Sequence, residues 1–197
     1  SPTLVLAAAE AGPPPAIATT RKLGINVVQM QAARSTDGIT TKIRSVAAAL
    51  DATYRGDALI ASLAPAMAQL PVRAETAPAL LFVLQSQGHA IMAAGTNTAA
   101  DAAIQLAGGK NVLADLQGYK PINGAYIASR QIDYVLVMEN TLQMIGGVDA
   151  LKTHPALINS DAVKNGDIIV IDGVALLGFG PRTPDALLTL AHQIGTK

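Results

Sequence analysis

Residues 36–70 read TDGITTKIRSVAAALDATYRGDALIASLAPAMAQL. Apolar side chains recur there at helical spacing: Ile39, Ile43, Val46, Ala47, Leu50, Tyr54, Leu59, Leu63, Met67 and Leu70. Ser35, Thr36 and Asp37 offer side-chain oxygens just ahead of the pattern, as a helix N-cap requires. One helix over this span would run roughly 50 Å at about 1.5 Å per residue. Heptad regularity is missing, which argues against a coiled coil. Gly56 weakens the middle, and Pro65 removes a hydrogen bond to the Ala61 carbonyl, so a kink or break is expected there. The alternative is two ordinary helices split near Gly56. A strand–helix–strand pattern precedes the stretch and several more elements follow it, so it reads as a spine between two α/β lobes.

Working outward, Thr3 to Ala9 and Ile25 to Met30 read as buried strands flanking a short helix from Ala16 to Leu23. Pro13-Pro14-Pro15 suits the first turn of that helix and Gly24 its end. A crossover helix makes such strands parallel. Two strands are few for a stable lobe, so further sheet is expected from another chain or from an N-terminal part of the natural protein. On the other side, Ala79–Leu84, Asp133–Met138 and Ile168–Asp172 read as strands. Thr98–Leu106 and Asp185–Ile194 read as helices, with helical character also at Ile122–Arg130, Thr141–Ile145 and Val148–Leu151. Gln85 to Gly95, Gly118 to Pro121 and Gly178 to Pro184 read as a loop, a turn and a glycine–proline loop. Alternation of strands with helices gives an α/β class with mostly parallel sheets.

Composition narrows the function. Half of the 197 residues are hydrophobic, and the formal net charge is zero with no basic run, which removes support for nucleic-acid binding. There is no cysteine, so thiolate metal sites, cysteine nucleophiles and disulfides are excluded. No apolar run reaches the length of a membrane span, and no signal-peptide pattern opens the sequence. No nucleophile elbow, zinc-protease signature or phosphate-binding loop occurs, so the chain is read as a binding protein and not an enzyme.

In open parallel sheets, ligands sit beyond the carboxyl ends of the strands. Three candidates fall in loops of that kind. His89 offers an imidazole to a metal, with Met92 as a soft second contact. Arg182 offers a guanidinium to a carboxylate or a phenolate. Tyr119 and Lys120 offer a stacking ring and a cation to a flat acidic ligand. His154 and His192 read as surface residues, and Asp101 as a partner of its helix dipole.

Six strings carry a family resemblance: EAGPP at 10–14, KIRSVAAAL at 42–50, MAAGTNTAADA at 92–102, LAGGKNV at 106–112, GYKP at 118–121 and LLGFGPRTP at 176–184. Together, and in this order, they resemble the periplasmic haem-binding proteins of bacterial ABC haem importers. The resemblance implies a class III periplasmic binding protein, with two α/β lobes on a single long linking helix and haem gripped between them. It divides the chain into a remnant of the N-terminal lobe at 1–35, the linking helix at 36–70 and the C-terminal lobe at 71–197, with the N-terminal lobe incomplete. It implies a periplasmic location, haem as transported ligand and an inner-membrane ABC permease as partner. The family's iron-binding tyrosine lies in a segment upstream of Ser1, and Tyr54, Tyr119, Tyr126 and Tyr134 do not sit in its motif. Weak haem binding is therefore expected of this chain. Arg182 matches the family arginine near the axial phenolate, and His89 lies in the loop where some relatives place a second axial ligand. Cobalamin or a siderophore is the alternative cargo. An exposed N-terminal sheet edge also invites pairing of two copies into a homodimer.

Overall fold

The computed structural model describes residues 2–9, 11–88 and 90–195. Its first unit is a parallel pair, β1 (Leu4–Ala7) and β2 (Asn26–Gln29), joined through α1 (Pro14–Lys22). Pro14 occupies the first turn of α1, and Gly24 takes a φ of +78° just beyond its end, a conformation that costs glycine little. The Met30 amide continues the pairing by donating to the Ala7 carbonyl at 2.8 Å.

The stretch 36–70 forms two helices, α2 (Thr36–Ala49) and α3 (Thr53–Ala68), and not one. Ser35 caps α2 as expected, its hydroxyl accepting from the Gly38 amide. The break falls at Leu50–Ala52, where Asp51 adopts φ +52° and the Ala52 amide turns back to the Ala47 carbonyl at 2.8 Å. Aspartate tolerates this left-handed geometry better than most residues. Gly56 is not the break. It is buried inside α3, and a Cβ there would lie 2.5 Å from the Ala47 Cβ, so glycine is what lets α3 lie close against α2. Pro65 sits in the last turn of α3 without ending it.

The larger sheet has the order β6-β4-β3-β7-β8 (Tyr119–Ile122, Ala90–Ala94, Ala79–Gln87, Tyr134–Met138 and Ile168–Ile171), with a short β5 (Lys110–Asn111) beside the start of β3. β3, β7 and β8 are parallel, whereas β4 is antiparallel to β3 and β6 to β4. The sheet is therefore mixed. The expected loop from Gln85 to Gly95 is a hairpin, in which Gln87 pairs with Ala90 across a turn holding Gly88 at φ +60°. The expected turn Gly118–Pro121 is mostly edge strand, because Pro121 lacks an N–H and an edge position asks for none on its open side.

β3 is buried on both faces, which its unbroken apolar run reflects. Leu80 and Phe82 enter one core with Leu136, Phe179, Leu187, Leu190, and Ile39 and Ile43 of α2. Leu81 and Val83 enter the other with Val135, Val137, Leu113, Leu151 and Leu157. Ile60, Leu63 and Met67 of α3 pack onto the first core, so the helical pair lies against the large sheet. Helices α4 (Ala99–Leu106) and α10 (Thr183–Ile194) cover the same face. The remaining short helices are α5 (Gly124–Ala128), α6 (Glu139–Ile145), α7 (Val148–Lys152), α8 (Asp161–Asn165) and α9 (Gly173–Leu177). No helix among the described residues is long and apolar enough to cross a membrane.

Candidate ligand site

Because β3, β7 and β8 run the same way, their carboxyl ends open on one edge of the sheet. A cavity of about 570 Å³ lies there, lined by Met138, Glu139, Asn140, Asp172, Gly173, Val174, Leu177 and Gly178. β7 passes directly into α6, which places Glu139 in a first helical turn, where a carboxylate meets the positive end of the dipole. Thr141, fully buried, donates its hydroxyl to the Leu84 carbonyl at 2.7 Å and ties α6 to β3. Gly173 packs closely on Met138: a Cβ would come within 2.4 Å of the methionine sulfur and displace that side chain.

Asp172 does two things at this edge. One oxygen accepts from the Val174 and Ala175 amides, at 2.9 and 3.0 Å, and so caps α9. The other lies 3.4 Å from a terminal nitrogen of Arg182. The Ala175 amide, aided by that of Val174 and by the Arg182 charge, holds the Asp172 carboxyl below its ordinary value of 3.8 against a smaller opposing effect of burial. Asp172 is thus an anion at neutral pH, and it orients a guanidinium that is otherwise largely exposed. The loop carrying Arg182 follows α9, not β8 directly. It is anchored by buried Thr183, which donates to the Ala175 carbonyl at 2.7 Å and accepts from the Gly180 amide at 3.0 Å.

Of the sequence-based candidates among the described residues, Arg182 alone adjoins this cavity, through its contact with Asp172. Tyr119 pairs with Ala94, Lys120 with Ala93, and Met92 with Pro121. Alternation along β4 and β6 puts Tyr119 and Met92 on one face of the sheet and Lys120 on the other. Tyr119 and Lys120 therefore do not face one ligand lying on a single side. From β6 to β8 the sheet spans four strand spacings, roughly 19 Å at about 4.8 Å each. His89 lies outside the described residues. His192 is exposed as expected, but His154 is buried, its Nδ1 accepting from the Ala156 amide at 3.1 Å. Asp101 does sit in the first turn of α4, and its carboxylate is also bonded to buried Asn111 at 2.9 Å.

Tyr119 lies near Thr98, Ala100 and Arg34, and Arg34 donates to the Asn97 side chain. Burial pushes the Tyr119 phenol above its ordinary value of 10.0, and the Arg34 charge opposes this only in part. At neutral pH the ring is a phenol and not a phenolate. A folded value raised above the unfolded one favours the fold below about pH 10, and that contribution is lost as pH climbs through the folded value. Tyr119→Phe is accordingly expected to remove a late component from an alkaline titration followed by ultraviolet absorbance. An unchanged late component would place the perturbed phenol elsewhere.

Glu139, Asn140 and Asp172 were not among the candidates read from sequence. The available signal was an acidic residue at the end of each of two predicted strands, Glu139 just after Met138 and Asp172 closing Ile168–Asp172, at ends that a parallel sheet brings side by side.

A cavity framed by strand ends and helix starts, with the Arg182 guanidinium beside its Asp172 rim, lies where open parallel sheets place their ligands. The periplasmic binding protein family model matches residues 1–175, and the chain belongs to that family. Among solved structures it is similar to the periplasmic heme-binding protein BhuT in complex with two hemes. The two are 35% identical, with 98% of this chain and 75% of that one covered and a TM-score of 0.90. It is similar also to the periplasmic heme-binding protein RhuT from Roseiflexus sp. RS-1 in apo form, at 36% identity, 98% and 76% coverage and a TM-score of 0.91. A third is the periplasmic heme-binding protein HutB of Vibrio cholerae, at 29% identity, 97% and 76% coverage and a TM-score of 0.83. A curated relative, the cobalamin-binding protein of Halobacterium salinarum, is 26% identical over 183 residues, 87% of this chain and 48% of that protein. The chain spans about half the length of the curated relatives it matches.

Proposed function

We propose that this chain is the substrate-binding component of an ABC importer for haem, working in the periplasm and delivering its cargo to an inner-membrane permease. The observation that carries this reading is the similarity to BhuT, whose structure holds two haems, across 98% of this chain. The edge cavity and Arg182 supply what such a cargo needs. The guanidinium meets a propionate carboxylate or an iron-bound phenolate, and Asp172 sets its direction. Met138, Val174 and Leu177 provide apolar contact for the macrocycle. In this reading Tyr119, Lys120 and Met92 lie toward the far edge of the sheet and touch cargo only at its periphery, while His89 is the candidate iron ligand. The division into 1–35, 36–70 and 71–197 assigns the cavity to the last unit, with the α2–α3 pair in place of a single linking helix.

Haem titration followed at the Soret band tests this reading. Addition of the protein is expected to shift the band of free haem, and Arg182→Ala is expected to weaken binding about tenfold. That corresponds to about 1.4 kcal/mol, close to the lower end for a hydrogen bond to a charged group, about 1.5 kcal/mol. Equal affinity of the two proteins would remove Arg182 from the site.

A second reading, cobalamin as cargo, is favoured by the Halobacterium relative. Cobalamin displacing haem at comparable concentration supports it, and haem retained in excess cobalamin counts against it. Both strands of the small sheet are edges, so we also propose that two copies pair there. Light scattering that stays monomeric at high concentration would exclude this.

A further inference from the structure

We propose that Lys42 is a positioning residue for the ligand site, holding from α2 the loop that carries Arg182. The Lys42 ammonium donates to the Gly178 carbonyl at 2.9 Å, a contact between residues 136 apart in sequence. Its origin is fixed, because Ile39 and Ile43, on either side of Lys42 in α2, are buried in the core shared with α10. Its target is the residue that closes α9 and lines the strand-end cavity. A cation suits the last carbonyls of a helix, which have no intrahelical donor left to pair with.

The weight of this bond comes from the residue after Gly178. Phe179 adopts φ +45°, a left-handed conformation uncommon for a bulky side chain, with its ring fully buried. The Gly178 carbonyl and the Phe179 amide belong to one planar peptide unit, so the direction of that carbonyl and the φ of Phe179 are set together. Glycine at 178 leaves the unit free to turn over and let Phe179 relax to a negative φ. By gripping the carbonyl, Lys42 opposes that turn. Further along, the loop is pinned again at Thr183, through its bonds with the Gly180 amide and the Ala175 carbonyl. Arg182 is thus carried between two anchors, and its approach to Asp172, at 3.4 Å, depends on both.

The proposal takes its cargo from the haem reading, so the test follows the loop both without haem and with it. In the cargo-free protein the Cα and Cβ chemical shifts of Phe179, which report its backbone conformation, are expected to move in Lys42→Met and to return in Lys42→Arg. With haem followed at the Soret band, Lys42→Met is expected to weaken binding about fivefold and Lys42→Arg to restore it. In an Arg182→Ala background the Lys42→Met change is expected to weaken binding by less than about twofold, since the loop then has no guanidinium to place. Phe179 signals unchanged in Lys42→Met, or an equal loss of affinity in both backgrounds, would overturn the proposal. A wild-type protein that leaves the Soret band of haem unmoved removes the haem reading instead, and the cargo-free Phe179 signals then decide alone whether Lys42 sets the loop.

Discussion

Phe82→Ala is expected to destabilise the protein by about 3–5 kcal/mol, the usual cost of deleting a fully buried aromatic ring. Phe82 is central to β3, pairs with Leu136 of β7 and is fully buried. Its core draws on three separate parts of the chain: Ile39 and Ile43 from α2, the sheet itself, and Leu187 and Leu190 from α10. These elements cannot collapse together into the space of a lost phenyl ring without losing their own contacts, so the cavity term adds to the transfer term. Urea unfolding should show a lower midpoint with an unchanged slope. Val170→Ala on edge strand β8, where the side chain is 42% exposed, is the matched control and should shift stability by no more than about 0.5 kcal/mol. Comparable losses for the two variants would mean that Phe82 is not at the meeting point of α2, sheet and α10.

The second large effect is expected at Asn111. This buried side chain donates to Asp101 at 2.9 Å and to the Ala94 carbonyl at 3.1 Å, and it accepts from the Leu113 amide at 3.0 Å. Asp101 is itself buried, with its other oxygen bonded to Gln105 at 2.9 Å. Asn111→Ala strands a carbonyl, an amide and one oxygen of a charged carboxylate. At about 1–3 kcal/mol for each unsatisfied buried group, a loss of about 3 kcal/mol or more is expected. Asn111→Asp goes further by setting two carboxylates side by side. The new carboxyl has a folded pKa raised above its unfolded value, so its penalty is full at neutral pH and shrinks as the group protonates on acidification. Urea midpoints at neutral and mildly acidic pH separate the two variants. An Asn111→Asp protein equally unstable at both would contradict the charge argument.

The parts of the fold legible in the sequence are those with uninterrupted patterns. Ala79–Leu84 and Tyr134–Met138 announce themselves because both faces are buried, and the β1–α1–β2 unit because proline and glycine punctuate it. The hairpin was hidden because β4 is short and follows a polar segment that reads as loop. The strand at Tyr119 is hidden in the sequence because glycine and proline three residues apart look like a turn, although an edge strand accommodates the proline. Residue type alone points to Gly56 and Pro65 for the break in the helical stretch. The break lies at Asp51, since glycine was needed for packing and proline was tolerated near a helix end.

The site followed the same division. Arg182 was visible through the glycine–proline string that carries it. Asp172 and Glu139 were not, because their meaning comes from the lateral alignment of β7 with β8, whose partners Met138 and Ile171 are far apart in sequence. Local pattern reports a strand and its faces. It does not report which strand ends become neighbours, and a ligand site at a sheet edge is made of that adjacency.

Ferric haem bound at this edge should broaden nearby amide signals through its unpaired electrons. In a nuclear magnetic resonance titration the account predicts early loss of the Gln85, Glu139, Asn140, Gly173 and Val174 amides. Those of Ala79, Tyr134 and Ile168, at the opposite ends of the same strands, should persist. Broadening centred on the opposite ends, or spread evenly over the protein, would contradict it.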